Sequence, residues 1–165
     1  ITEKGFKIGA ILLTHGHFDH IWGAEELRAK SGARIYAYEK EQPMCESSNL
    51  NLSAQMGRAC TIKVDCYRKD GEEIRVGNLK CRLLATPGHT AGSCCYYFEE
   101  DGKLFSGDTL FCQSVGRTDF PTGSMSEIVR SVKEKLMILP DDVKVYPGHG
   151  DTTTIGFERE NNPFL

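Results

Sequence analysis

The 165-residue chain lacks the compositional features of nucleic-acid-binding, membrane-spanning and disulfide-stapled proteins. Its 20 Lys and Arg residues are scattered, and 23 Asp and Glu outnumber them, so no basic face for nucleic acid or an anionic membrane is expected. No apolar run approaches the ~20 residues that a transmembrane helix needs. The seven cysteines form no Cys-x-x-Cys pair, and this predicts free thiols in a reducing cytoplasm.

Hydrophobic patterning predicts helices alternating with strands in the first part of the chain and hairpins later, which indicates an α/β protein with mixed sheets. The length suits one domain, with no internal repeat or low-complexity linker. The predicted elements are a strand over 7–14, a helix over 23–32, a strand over 33–38, hairpins about Gly77-Asn78 and Asp101-Gly102, a helix over 124–139, a strand over 142–150 and a helix over 154–161. Ser124 and Glu127 have capping-box spacing at the start of the longest helix.

All five histidines share one sequence context, directly after a predicted strand and beside Gly, Thr or Pro. The positions are His15, His17 and His20 after AILLT, His89 after RLLATPG and His149 after VKVYPG, and Asp108 follows a strand in the same way. Loops at strand ends are where binding groups concentrate. A histidine buried for structural reasons would more often lie within an apolar run, so the shared context predicts a metal site.

The number and spacing of these side chains predict two metal sites, each with an open position. The two histidines of His-x-His can converge from one side of a tight loop, whereas the following Asp-His pair points elsewhere. The predicted ligands are His15, His17 and His89 for the first ion, Asp19, His20 and His149 for the second, and Asp108 as a carboxylate bridge between them.

Four motifs in fixed order, THGHFDH, PGH, SGDTLF and PGHG, resemble those of the metallo-β-lactamase superfamily. VGRTDFP and the terminal NPFL make the chain most similar to its compact hydrolases of the glyoxalase II (hydroxyacylglutathione hydrolase-like) type. The resemblance implies an αββα sandwich with a dinuclear site along one edge, and it matches the same seven ligands position by position. It also implies earlier N-terminal strands, so residues 1–165 are expected to form a single domain that is N-terminally incomplete relative to the family.

The resemblance implies a small anionic acyl-thioester substrate, such as S-lactoylglutathione or a related hydroxyacyl-thiol. Two divalent ions lower the pKa of a shared water from ~15.7 toward ~7, which supplies bridging hydroxide as the nucleophile. All predicted ligands carry nitrogen or oxygen donors, which suit zinc, our preference, and also iron or manganese. Asp19, which can also orient the hydroxide, and Asp108 are the predicted catalytic residues. Because a thiolate leaves without a strong general acid, no further Ser-His-Asp or Cys-His apparatus is needed.

Arg117, in GRTDFP, falls where glyoxalase II enzymes carry a basic residue near the substrate's carboxylate. A guanidinium suits bidentate recognition of a carboxylate, which makes Arg117 the predicted substrate-binding residue. An alternative of equal weight is that Arg117 pairs with Asp119 and holds its own loop.

Two other interpretations of the motifs remain open. Persulfide dioxygenases share GRTDF and hold a single iron by two histidines and a carboxylate, here His15, His89 and Asp108, although they usually have His-Asp-Tyr where this chain has GHGD. A non-catalytic metal-binding protein is the other. Flavodiiron members carry glutamate at the position of His17, and superfamily β-lactamases generally lack the bridging aspartate, so neither that branch nor an antibiotic substrate is expected.

Overall fold

A computed structural model describes residues 5–165, so the first four residues of the predicted domain lie outside the described part. The strands in this part are β1 (Ala10–Leu12), β2 (Arg34–Tyr38), β3 (Cys66–Arg68), β4 (Glu73–Val76), β5 (Leu79–Ala85), β6 (Cys94–Phe98), β7 (Lys103–Gly107), β8 (Leu110–Phe111), β9 (Ser114–Val115), β10 (Lys144–Pro147) and β11 (Thr153–Thr154). The α-helices are α1 (Phe18–Ile21), α2 (Ala24–Ser31), α3 (Gln42–Cys45), α4 (Met125–Ser131) and α5 (Ile155–Asn161). Among these residues no helix is long and apolar enough to cross a membrane.

The strands form two main sheets. One contains three parallel strands in the order β1-β2-β3, and the other contains six strands in the order β11-β10-β7-β6-β5-β4. Within the larger sheet, β4 to β7 form an antiparallel meander, and β10 lies parallel to β7. Strands β5, β7 and β10 therefore run in the same direction and end at the same edge.

Three hydrophobic clusters show that the layers stack as helix, sheet, sheet and helix. Apolar side chains of β2, β4, β5 and β6 fill the space between the sheets. Residues from α1 and α2 cover the outer face of the small sheet, and residues of α4 and α5 cover that of the large sheet. Cys94 and Cys95, both fully buried, point to opposite faces of β6, as alternation along a strand requires. The predicted αββα sandwich is confirmed.

Most predicted elements are present, with shorter bounds. The 7–14 strand is regular only over Ala10–Leu12, and both predicted hairpins form, as β4–β5 and β6–β7. The 124–139 helix comprises α4 and a π-helical turn over Val132–Leu136. Ser124 caps α4 because its hydroxyl accepts a hydrogen bond from the backbone N–H of Glu127 at 3.4 Å.

Five short elements were not predicted: α1, α3, β3, the β8–β9 hairpin and β11. Each helix or strand among them has two to four residues, too few to show a hydrophobic period. Strand β3 exists because it pairs with β2, some thirty residues earlier in the chain. Long-range pairing of this kind leaves no local signature.

Candidate metal centre

The seven predicted ligands lie together at one edge of the sandwich, just beyond the ends of four strands. The segment after β1 carries His15 and His17 in a loop and Asp19 and His20 in α1, and the loops after β5, β7 and β10 carry His89, Asp108 and His149. Because β5, β7 and β10 run in the same direction, their C-terminal ends bring distant segments to one place. The topology explains why each histidine follows a strand.

The first cluster, formed by His15, His17 and His89, is almost fully buried. One ring nitrogen of each lies within 4.8 Å of the others, and no member is more than 3% exposed. Nδ1 of His17 is 2.9 Å from Nε2 of His89. The other ring nitrogen of His89 lies 2.8 Å from the carbonyl oxygen of Arg117, so Nδ1–H donates there and the Nε2 lone pair faces the cluster.

The second cluster, formed by Asp19, His20 and His149, is open to solvent. Its ligand atoms also lie within 4.8 Å of one another, but the side chains of Asp19 and His149 are 35% and 59% exposed. Nε2 of His149 is 3.1 Å from Oδ2 of Asp19. This arrangement gives three donors around an accessible point.

Asp108 lies between the two clusters. Its Oδ2 is 3.6 Å from Nε2 of His89 and 3.7 Å from Nε2 of His149, while Oδ1 is 3.4 Å from Nε2 of His20. The chain packs tightly behind it, since a Cβ on Gly148 would collide with Oδ1 of Asp108 and with the His20 ring. One carboxylate thus contacts members of both clusters, which is the position that a bridging ligand needs.

Several buried atoms of the site have no hydrogen-bond partner within the described residues. They are Nε2 of His15, His17 and His20, and Oδ1 of Asp108. An unsatisfied buried polar atom costs about 1–3 kcal/mol, so such atoms are rare in native proteins. All four belong to predicted ligands, and His15, His20 and Asp108 each have one ligand atom within 4.8 Å of the others, an arrangement that fits a divalent cation.

Burial lowers the pKa values of the histidines in the first cluster, which favours the neutral form that binds metals. Burial lowers the pKa of His15 well below its ordinary value, that of His17 to about 4, and that of His89 as well. These imidazoles are neutral at pH 7, which is the form that binds metals. Burial would raise the pKa of Asp108, but the surrounding histidines, His20 foremost, lower it, so the carboxylate is ionised.

A cavity of about 520 Å³ opens above both clusters. Its apolar wall consists of Phe18, Leu52, Met56, Phe111 and Phe120. Sequence analysis gave no prediction for the segment that contributes Leu52 and Met56, because 39–62 shows no clear period. Leu52 has a φ of 68°, a conformation rare for leucine.

Arg117 lies at the rim of this cavity. Its Nε and Nη2 each donate a hydrogen bond of 2.7 Å to the carboxylate of Asp119, and its guanidinium lies 3.8 Å above the Phe120 ring. The contact expected from the loop-holding alternative is therefore present. Substrate binding by Arg117 stays a prediction.

Comparison with known proteins gives consistent matches along the chain. Residues 1–149 match the family model described as the metallo-beta-lactamase superfamily. Hydroxyacylglutathione hydrolase GloC from Haemophilus influenzae is 36% identical over 172 residues, which cover 100% of this chain and 79% of GloC.

Two crystal structures extend these matches to the fold. That of BLEG-1 B3 metallo-beta-lactamase superposes with a TM-score of 0.94 at 38% identity, covering 99% of this chain and 80% of that one. That of TTHA1623 in a di-iron-bound form gives a TM-score of 0.85 at 35% identity, covering 99% and 81%. With its αββα fold and its clustered histidines, the chain belongs to the metallo-beta-lactamase superfamily.

Proposed function

We propose that this metallo-hydrolase uses two metal ions to hydrolyse small anionic acyl thioesters, with S-lactoylglutathione as the model substrate. The observation that carries the proposal is the set of unpartnered buried donor atoms in two clusters joined by Asp108. The similarity to GloC supports the thioester class.

The proposed ligands are His15, His17 and His89 for one ion, Asp19, His20 and His149 for the other, and Asp108 for both. When bound, two divalent ions supply a water of lowered pKa and polarise the substrate carbonyl. We propose zinc, and the di-iron form of TTHA1623 makes iron the first alternative.

The chain's own residues then orient the reaction. The carbonyl oxygen of Arg117 fixes the His89 ring, and Asp108 keeps both halves of the site at a fixed separation. Asp19 lines the cavity, where its carboxylate can accept a hydrogen bond from the attacking water. This hydrogen bond would orient a lone pair of the water oxygen toward the carbonyl carbon of the substrate. The departing thiolate needs no proton from the chain.

The cavity above the clusters supports a substrate with apolar and anionic parts. Phe111 and Phe120 offer an apolar surface to the carbon atoms flanking the thioester. Arg117 would bind a substrate carboxylate by releasing Asp119, its partner in the free protein.

Metal content per chain, measured by elemental mass spectrometry on protein purified without added metal, is the first test. About two ions per chain, together with hydrolysis of S-lactoylglutathione, would support the proposal. A single iron with oxygen uptake on glutathione persulfide would replace it by a dioxygenase that uses His15, His89 and Asp108. Bound metal without either activity would indicate a non-catalytic protein.

Hydrolysis of β-lactams is the second candidate function, because BLEG-1 is 38% identical to this chain. The position of Asp108 between the clusters favours the thioester. Parallel assays with nitrocefin and S-lactoylglutathione on the same metal-loaded sample separate the two, since the better substrate has the higher kcat/KM.

We propose a cytoplasmic location from the cysteines. All seven lie in the described part of the chain, and none forms a disulfide there. Burial raises the pKa of the Cys45 thiol to about 12 and that of Cys81 to about 11, which keeps these thiols protonated. A reducing compartment suits such a protein.

A further inference from the structure

Glu41 is a buried carboxylate that belongs to neither cluster. It ends the 3₁₀ turn Glu39–Glu41 that follows β2, and it is 1% exposed. Burial raises the pKa of Glu41 to about 7, and hydrogen bonds from Gly16, Thr90 and Gly92 oppose that shift. A buried carboxylate is costly unless its oxygens are well satisfied, so its presence here needs a reason.

The hydrogen bonds of Glu41 join the two loops that carry the first cluster. Oε1 accepts from the backbone N–H of Gly16 at 2.8 Å, and Gly16 stands between His15 and His17. The hydroxyl of Thr90, directly after His89, lies 3.0 Å from Oε1 and 2.9 Å from Oε2. One carboxylate therefore links segments that are 25 and 49 residues away along the chain.

The surroundings hold this carboxylate in one orientation. Ser93 accepts a hydrogen bond from the backbone N–H of Thr90 at 2.9 Å, and its hydroxyl lies 2.7 Å from that of Thr90. Gly92 packs so closely that a Cβ there would collide with Oε2 and with the backbone nitrogen of Glu41. The two loops thus have little freedom to move relative to Glu41.

We propose that Glu41 is a positioning residue for the first metal ion, which sets the separation between His17 and His89 by tying their loops to one carboxylate. The inference rests on the ligand assignment in the proposed function. It predicts that Glu41 controls metal affinity without touching the metal.

Glutamine is the informative replacement for Glu41 because it keeps the size and removes one acceptor. The amide nitrogen must replace either Oε1, where it meets the N–H of Gly16, or Oε2, against which Gly92 packs. In the first orientation a donor faces a donor and the loop of Gly16 loses its anchor. In the second the amide nitrogen can no longer accept the hydrogen bond from the Thr90 hydroxyl. Removing such support for ligands typically lowers metal affinity by about 10–100-fold.

Glu158 provides a matched control. It is also fully buried, and it accepts hydrogen bonds from the backbone of Gln113 at 2.9 Å, from Thr153 at 2.6 Å and from Asn162 at 2.8 Å. None of these partners belongs to the loops of the first cluster. Glu158→Gln therefore reproduces the loss of a buried acceptor away from the proposed ligands.

The experiment measures zinc affinity of metal-free wild type, Glu41→Gln and Glu158→Gln by competition with a chromophoric chelator. Visible absorption of the cobalt-loaded proteins reports the ligand geometry, and melting temperatures report stability. We expect Glu41→Gln to lose about 10–100-fold in affinity at one site and to show an altered cobalt spectrum. Glu158→Gln should melt earlier but keep wild-type affinity and spectrum.

Wild-type affinity and spectrum in Glu41→Gln would overturn the inference, as would an equal loss in Glu158→Gln. If the wild type itself binds no metal, the proposed function fails instead, so the two failures are distinguishable. Where Glu41→Gln does not fold, Thr90→Val removes one donor and keeps the carboxylate. A several-fold loss of affinity is then expected, and unchanged affinity would overturn the inference.

Discussion

The two histidine clusters share their donor chemistry but differ in their surroundings. His15, His17 and His89 are at most 3% exposed, whereas the side chain of His149 in the second cluster is 59% exposed. The first cluster is held from behind by protein hydrogen bonds, among them the one from His89 to the Arg117 carbonyl. Both clusters border the cavity, but the contacts of His149 come from Asp19 of its own cluster and from Asp108 between the clusters.

This difference predicts that the two clusters bind their ions with different affinities and exchange rates. Buried donors that are already oriented lose little freedom on binding, so the first cluster should hold its ion more tightly. The exposed cluster should exchange its ion faster and leave room for substrate. Four substitutions test this contrast, in order of decreasing expected effect.

Replacing Asp108 by alanine should have the largest effect because this carboxylate contacts both clusters. We expect the metal content to fall at both sites and thioester hydrolysis to fall by more than about 100-fold. Elemental analysis and kcat/KM measure the two losses. The control is Asp142→Ala, which should behave as wild type. Asp142 is exposed and precedes β10, at the opposite end of the strand from His149.

His17→Ala should remove the tightly held ion and leave the accessible one. The expected loss of activity is about 10–100-fold, and competition titration should then show only the weaker binding phase. If the tight phase survived in this variant, the buried cluster would not be the high-affinity site.

His149→Ala should affect the exposed site alone. One ion per chain should remain, with wild-type resistance to chelation, while activity falls by about 10-fold. A time course of metal loss to EDTA tests the same assignment. In the wild type half of the metal should leave in a fast phase, and this variant should lack that phase. Loss of the slow phase instead would reverse the assignment.

Arg117→Met should have the smallest effect and leaves the metals in place. If Arg117 binds the substrate carboxylate, KM should rise by a few-fold to about 10-fold, as expected for an exposed charged hydrogen bond, with kcat little changed. Asp119→Asn separates the two roles of Arg117. Freeing the guanidinium should lower or preserve KM if it binds substrate, whereas equal damage in both variants would indicate a loop-holding role.

The gathering of the seven predicted ligands could be inferred from sequence because each carries a local signal. His15 and His89 directly follow apolar runs that end in Thr or Gly, and strand ends of one direction converge in an αββα sandwich. The spacing within His-x-His-x-Asp-His then divides the side chains into two sets. The structure brings the same side chains together in overlapping groups, and their metal binding stays a prediction.

Glu41 and the cavity wall could not be inferred in this way. Glu41 stands in a charged stretch, EKE, that is typical of an exposed turn, and only the folded contacts to Gly16 and Thr90 reveal its burial. Leu52 and Met56 lie in a segment without periodicity, so nothing local places them over the site. Contacts between residues far apart in the sequence determine both the burial of Glu41 and the position of the cavity wall.

The close packing at Gly148 and Gly92 has a consequence for mutational tolerance. A Cβ at Gly148 would displace Asp108, and one at Gly92 would displace Glu41, although neither glycine offers a donor to a metal. In a saturation library selected for activity, both positions should reject nearly every substitution, as the predicted histidine ligands should. A genetic screen alone would therefore not distinguish these glycines from the ligands. The structure does distinguish them, because a glycine has no side chain that could bind a metal and is needed only for the space it leaves.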